Sequence, residues 1–349
     1  MDLATFWFIV LGLLWTGYFV LEGFDFGVGM LLPVLGGRKY ATDAVDAEKR
    51  RRVLLNTIGP VWDGNEVWVL TAGGATFAAF PHWYATLFSG FYLPLLVILV
   101  ALILRNLGFE YRHKRPEASW KARWDLAIFW GSVVPAFLWG VALTNIVRGV
   151  PIDASKEFTG SVLTLLNPAG LLGGVVFVAL FLTHGAIFVA LKTEGRIRLE
   201  ARAIAERVGA VAAVLALALL LWLGFSDGKA ASWATTAVAA VALIGGLAAN
   251  RAGREGWAFL GTAGTIALAV ATYFLVLFPN VMPSSTNPAW SLTVDNASST
   301  DYTLKVMTVV ALVFTPVVVL YQGWTYWVFR KRLGTKHIPD DAAVKTAHR

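Results

Sequence analysis

The chain contains no cysteine. That absence excludes disulfides, iron–sulfur clusters and thiolate-bound metals at once. Charge is scarce as well: Asp, Glu, Lys and Arg make up 15% of the 349 residues, against 57% hydrophobic residues. Soluble domains carry about a quarter charged residues, so this composition, with a mean hydropathy of +0.64, belongs to the membrane class. There is no nucleotide-binding loop, nucleophile triad, metal cluster, fixed-period repeat or low-complexity tract. No cleavable leader is read either, because the first apolar run begins at once, without a basic stretch before it, and is too long. What remains is an all-α integral membrane protein.

A span needs about 20 mostly apolar residues. Nine segments qualify: 4–34, 53–80, 84–107, 124–147, 167–191, 208–225, 232–249, 257–279 and 303–329. Residues 1–333 are read as one transmembrane helical domain and 334–349 as a mobile cytoplasmic tail. The third and eighth segments are the plainest apolar runs. The second is interrupted by Pro60-Val61-Trp62-Asp63-Gly64-Asn65-Glu66, which brings charge and a helix breaker into its middle.

The net charge of +7 could serve nucleic acid or anionic lipid, and the positions of the basic residues decide between them. With the amino terminus outside, the inner segments 36–53, 105–123, 192–207, 250–256 and 330–349 hold 25 of the 29 Lys and Arg. Only Arg148, Lys156, Lys229 and Lys305 fall outside. That asymmetry follows the positive-inside rule and puts the carboxyl terminus in the cytoplasm. Trp7, Trp83, Trp124, Trp233, Trp257, Trp324 and Trp327 lie near span ends, as an aromatic belt requires.

With Arg105 counted into an inner loop and Lys305 with the outer side, the spans are read as holding no basic residue. Four acids nevertheless lie inside: Glu22 and Asp25 in the first span, Asp63 and Glu66 in the second. Each pair has i, i+3 spacing and shares a helix face. Counted from the loop that joins the two spans, Asp25 and Asp63 both sit about 16 Å deep, with Glu22 and Glu66 about 4–5 Å deeper. Each charged acid at mid-bilayer costs about 2.5–3.5 kcal/mol, so four unpaired anions would cost on the order of 10 kcal/mol. Protonation and water are therefore the expected remedies, and groups so placed suit proton exchange. The alternative is a satisfied polar network that locks two helices, helped by Asn56, Asn65, Thr57 and Thr16. Gly23, Gly27 and Gly29 form a small-residue stripe that admits another helix. Pro60 and Gly64 loosen the second helix beside Asp63. Trp62 and Trp68 flank the acids. Of five histidines only His184 lies within a span, and without a second axial ligand opposite, it reads as a helix-bonding residue rather than a haem ligand.

Gly23-Phe24-Asp25-Phe26-Gly27-Val28-Gly29-Met30 and Gly59-Pro60-Val61-Trp62-Asp63-Gly64-Asn65-Glu66-Val67-Trp68 resemble subunit II of the cytochrome bd-type quinol oxidases. Phe88-Ser89-Gly90-Phe91-Tyr92, Leu166-Asn167-Pro168-Ala169-Gly170-Leu171-Leu172 and Phe278-Pro279-Asn280-Val281-Met282-Pro283-Ser284-Ser285-Thr286 extend the likeness over nearly the whole chain. The resemblance implies a place in the bacterial cytoplasmic membrane and in a respiratory complex that oxidises quinol and reduces dioxygen to water. It implies that two b-type haems and one d-type haem sit in a partner, subunit I, and that this chain supports that partner. Small single-helix peptides and a bound structural quinone are further implied companions. By the same likeness Asp63 and Asp25 belong to a proton path, with Glu22 and Glu66 nearby. Trp68, with Trp62, belongs to an oxygen route or the partner interface. His184 matches no family ligand.

Two rival readings are an ion-coupled secondary transporter and a purely structural subunit. Against the first, no inverted repeat is found and the acids gather in one hairpin. The absence of cysteine makes topology directly testable. A single cysteine at Ser299→Cys should react with a membrane-impermeant maleimide in intact cells, and one at Thr42→Cys only after permeabilisation. The opposite order would invert the topology.

Overall fold

The fold was obtained as a computed structural model, which describes residues 2–339. Helix α1 (Leu3–Leu35) opens on Asp2, whose carboxylate accepts from the Thr5 amide at 2.7 Å. There follow α2 (Ala44–Ile58), α3 (Trp62–Ala79), α4 (Pro81–Gly90), α5 (Tyr92–Tyr111) and α6 (Ala118–Arg148). The second half comprises α7 (Val162–Leu165), α8 (Pro168–Lys192), α9 (Gly195–Asp227), α10 (Ala230–Arg251) and α11 (Glu255–Leu277). A two-stranded antiparallel hairpin (β1, Asn280–Met282; β2, Leu292–Thr293) and α12 (Val294–Ala297) lead into α13 (Asp301–Val328).

Among the described residues eight helices are long and apolar enough to cross a membrane: α1, α5, α6, α8, α9, α10, α11 and α13. Nine were expected, and the difference lies in the second segment. Pro60 has no amide hydrogen to offer, so α2 stops at Ile58 and the chain turns through Gly59 and Pro60 before α3 starts at Trp62. Helix α3 has 18 residues but carries the acids, and so falls short in apolarity. The third segment also differs. It divides at Phe91 into α4 and α5, and the Phe91 amide closes α4 on the Leu87 carbonyl at 2.8 Å.

Helix α1 is the hub, packed against α3, α6, α8 and α11. Seventeen of its residues are buried, with Glu22 to Leu32 forming an unbroken buried stretch. The glycine stripe serves two neighbours rather than one. A Cβ on Gly27 would lie 2.2 Å from the Phe181 carbonyl oxygen and 2.7 Å from the Gly185 Cα, so backbone meets backbone where α1 crosses α8. Gly29 instead meets Ser132 of α6, whose Oγ would stand 2.0 Å from an added Cβ.

Helix α13 is the least covered, with Val309, Leu312, Phe314 and Leu320 all more than half exposed. Beyond it the chain folds back. The Leu333 amide donates to the Lys192 carbonyl at 2.8 Å, residues 335–337 form a 3-10 turn, and Ile338 is buried. The start of the expected tail is thus packed, and its residues from 340 onward lie outside the described residues.

The α1–α8 crossing generates a stability test. Gly27→Ala adds one methyl where only backbone atoms could yield, so it should destabilise the detergent-solubilised complex by about 3 kcal/mol, the upper part of the usual overpacking range. Gly245→Ala, where nothing lies within 4 Å, should leave the thermal unfolding midpoint unchanged. Equal midpoints for the two variants would contradict the crossing.

Candidate functional site

The acids of α1 sit where that helix is most enclosed, Glu22 and Asp25 both being fully buried. What meets Glu22 is a cation. Arg105 of α5, also fully buried, pairs through Nη1 with Glu22 Oε1. Its guanidinium lies 4.8 Å from the Phe26 ring centre and 5.2 Å from that of Phe109, so two aromatic rings flank it. The spans therefore do hold a basic residue, contrary to the sequence reading. Arg105 is seven residues before Arg112 on a continuous helix, two turns deeper than the loop into which it was counted.

Asp25 is held differently. Its Oδ2 accepts from Asn65 Nδ2 at 2.7 Å. The Asn65 Oδ1 in turn accepts from Tyr326 OH at 2.7 Å and Gln322 Nε2 at 3.1 Å, both on α13. Trp68 Nε1 completes the chain by donating to Gln322 Oε1 at 2.9 Å. Asn65 is thus a junction between α1, α3 and α13, its three partners using most of what its amide can offer. The other three residues expected to lock the helices do not. Thr16 bonds the Gly12 carbonyl and Thr57 the Leu54 carbonyl, each within its own helix, while Asn56 is exposed.

The second pair of acids divides. Glu66 accepts from Asn106 Nδ2 of α5 at 2.8 Å and stands within electrostatic reach of Arg105. Asp63 lies on the exposed side of the first turn of α3, just after the Pro60 break, and makes no hydrogen bond to Asp25. The four carboxylates expected in two level pairs are therefore three clustered around Arg105 and one at the rim. Gly64 is not part of the break. It sits inside α3, with nothing within 4 Å of where a Cβ would be.

Glu22 Oε2, Asp25 Oδ1, Glu66 Oε2, Arg105 Nε and Nη2, and Asn106 Oδ1 are buried without a protein hydrogen-bond partner. Six of the eight such side-chain atoms found among the described residues thus belong to this cluster. Buried polar atoms are nearly always bonded to protein or water, so the arrangement calls for solvent between α1, α3 and α5.

Trp62 packs on Phe109 with ring centres 5.2 Å apart, and Trp68 rests against Gly17. Neither lines the enclosed apolar cavity of about 80 Å³ bounded by Trp15, Val69, Trp83, Trp139 and Phe274. His184 bonds helices together: Nε2 donates to the Val20 carbonyl at 3.2 Å, which leaves Nδ1 to accept from Thr262 Oγ1 at 2.7 Å. The ring also stacks on Phe259, 4.6 Å between centres. With both nitrogens used, His184 does not fit an axial haem ligand. Among the described residues no three His, Asp or Glu are grouped as for a metal.

The sequence reading missed Arg105, Asn106, Gln322 and Tyr326. A polar residue inside a run that otherwise reads as a span was the available signal for each. The ion pair predicts strong coupling. Arg105→Met alone leaves Glu22 uncompensated in the bundle and should cost about 3–5 kcal/mol in the unfolding of the purified complex. Glu22→Leu combined with Arg105→Met should restore most of that loss. Additive losses in the double-mutant cycle would show that the two side chains act independently.

The family model for cytochrome bd terminal oxidase subunit II matches residues 3–329. The cytochrome bd ubiquinol oxidase subunit 2 of Bacillus subtilis (strain 168) is 44% identical, over 95% of this chain and 96% of that protein. The cytochrome bd-I ubiquinol oxidase subunit 2 of Escherichia coli (strain K12) is 37% identical, over 95% of each. A chain of the bd oxidase structure from Geobacillus thermodenitrificans shares the fold, with a TM-score of 0.74 at 18% identity over 95% of this chain and all of that one. A helical bundle with two carboxylates buried on its first helix, and matching these proteins nearly end to end, belongs to the cytochrome bd terminal oxidase subunit II family.

Proposed function

We propose that this subunit II carries protons from the basic end of the bundle toward an oxygen-reducing haem held by subunit I. The chain is a subunit of a quinol-oxidising respiratory complex of the bacterial cytoplasmic membrane. Reducing dioxygen to water consumes protons, and hydrocarbon screens the reaction site, so a route of exchangeable groups and water is required. Asp63 serves as the entrance, exposed beside the Pro60 break. Glu66, one helical turn on, hands protons to the hydrated cluster of Glu22 and Asp25. The six buried polar atoms without protein partners carry this reading, because they mark where water belongs. Arg105 keeps the cluster anionic enough to attract protons without leaving its charge wholly unbalanced.

The haems, of b and d types, belong to subunit I, and the side chains around His184 favour that assignment. The proposed topology has nine spans, counting α3, with the amino terminus outside and the basic loops cytoplasmic. Half-buried Trp62 and Trp68, beside the exposed Val67 and Leu70 on α3, serve the contact with subunit I. Membership of the family sets the transporter reading aside. The purely structural subunit remains the rival that experiment must separate.

Asp63→Asn keeps shape and hydrogen bonding but removes the titratable proton. The complex should assemble with its full haem spectrum while oxygen consumption falls at least about tenfold, toward the loss typical of a missing proton-transfer group. Asp63→Glu should keep part of the rate. Normal turnover of Asp63→Asn across the pH range would defeat the relay, and lost assembly without selective loss of turnover would favour the structural role.

A further inference from the structure

At the end of the bundle that carries the basic loops, a cleft of about 1400 Å³ opens between the end of α1, helix α2 and the start of α6. Its lining has two characters. The end of α1 and helix α2 contribute Arg38, Lys49, Arg51 and Arg52, and α6 contributes Lys121 together with Leu126, Phe129 and Trp130. The acids that also line it already have partners, Glu48 pairing among others with Lys121 of the cleft at 3.0 Å. Asp43 caps α2 by accepting from the amides of Val45 and Asp46 at 2.8 and 2.9 Å. Glu48 grips Arg112 at 2.8 and 3.0 Å, and Asp125 grips the same guanidinium at 2.5 and 3.3 Å. Arg112 thus engages two of the three acids, and the cleft is left with a surplus of positive charge.

Two of the arginines have donors to give. Arg38 is exposed and makes no hydrogen bond or ion pair among the described residues. Arg51 approaches Asp125 at 3.6 Å from Nε to Oδ2, and neither terminal nitrogen of its fork makes a hydrogen bond among the described residues. A planar fork with unused donors matches the oxygens of a phosphate, the anionic group that every phospholipid presents. Leu126 and Trp130 are i, i+4 neighbours on α6 and are 58% and 53% exposed, so an apolar track leads away from the basic wall along the helix. A soluble anion would have no use for that track, and a purely apolar ligand none for the arginines.

We propose that this cleft binds an anionic phospholipid, its phosphate on Arg38 and Arg51 and an acyl chain along Leu126, Phe129 and Trp130. Basic pockets between membrane helices at the cytoplasmic face are suited to such headgroups. The site is independent of the carboxylate cluster and stands whether or not that cluster conducts protons.

The test uses the complete oxidase complex, purified in detergent and exchanged into discs of phosphatidylcholine, with or without phosphatidylglycerol. Native mass spectrometry should find phosphatidylglycerol retained on the wild-type complex through delipidation. In Arg38→Gln/Arg51→Gln the retained amount should fall at least about fivefold, with the haem spectrum unchanged. Should the double variant assemble poorly, Arg38→Gln alone, at an exposed position, should still lower retention. Trp130→Ala should weaken retention as well, because it shortens the acyl track. Equal retention in wild type and the arginine variants would overturn the proposal. So would displacement of the lipid by millimolar inorganic phosphate, which would make this a site for a soluble anion.

Discussion

The pairing of Glu22 with Arg105 is the constraint around which the middle of this bundle is arranged. A guanidinium cannot sit in a helical bundle within lipid without a partner, and here it finds one from the helix that most others pack against. Once α5 is tied to α1 in this way, Phe26 and Phe109 must close over the cation, and Asn106 is carried to Glu66 on α3. One cation then faces three carboxylates. The imbalance sets the site apart from an ordinary buried ion pair. The backbone around it is correspondingly firm: α1 meets α8 at glycine against glycine, a contact with no side chain to give way.

Much of this was legible in the sequence, and the parts that were not share a cause. Apolar runs located the helices, because the length of such a run is a one-dimensional quantity. The i, i+3 spacing of Glu22 with Asp25 indicated a shared face, and both are indeed enclosed together. Pro60 marked a real break, since a missing amide hydrogen acts locally. Partners across helices were not legible. Periodicity states which side of a helix a residue is on but not which helix it will meet, so Arg105 was counted with a loop and Asp63 was paired with an acid it does not touch. Gln322 and Tyr326 were passed over for the same reason. Their role exists only because α13 lies against α3 at Asn65.

The polar groups also explain why α3 is so unlike its neighbours. It has 18 residues, of which only Asn65, Ala72, Thr76 and Ala79 are enclosed. A helix of this kind gains little from apolar burial within its own chain. It is positioned instead by directional bonds, through Asn65 to α1 and α13, and through Glu66 to α5. Directional bonds specify register where small apolar contacts would permit sliding.

The Asn65 junction joins residues that lie about 300 positions apart in the polypeptide. Its amide donates to Asp25, near the start of the chain, and its carbonyl oxygen accepts from Gln322 and Tyr326, close to the last residues described. During synthesis the first helix leaves the ribosome some 300 residues before Tyr326 does. Until α13 arrives, Asn65 lacks both of its donors and nothing fixes the amide that orients Asp25. The nascent subunit therefore holds its acids in an unfinished setting, and the bonds that organise the first helix are completed only by the last.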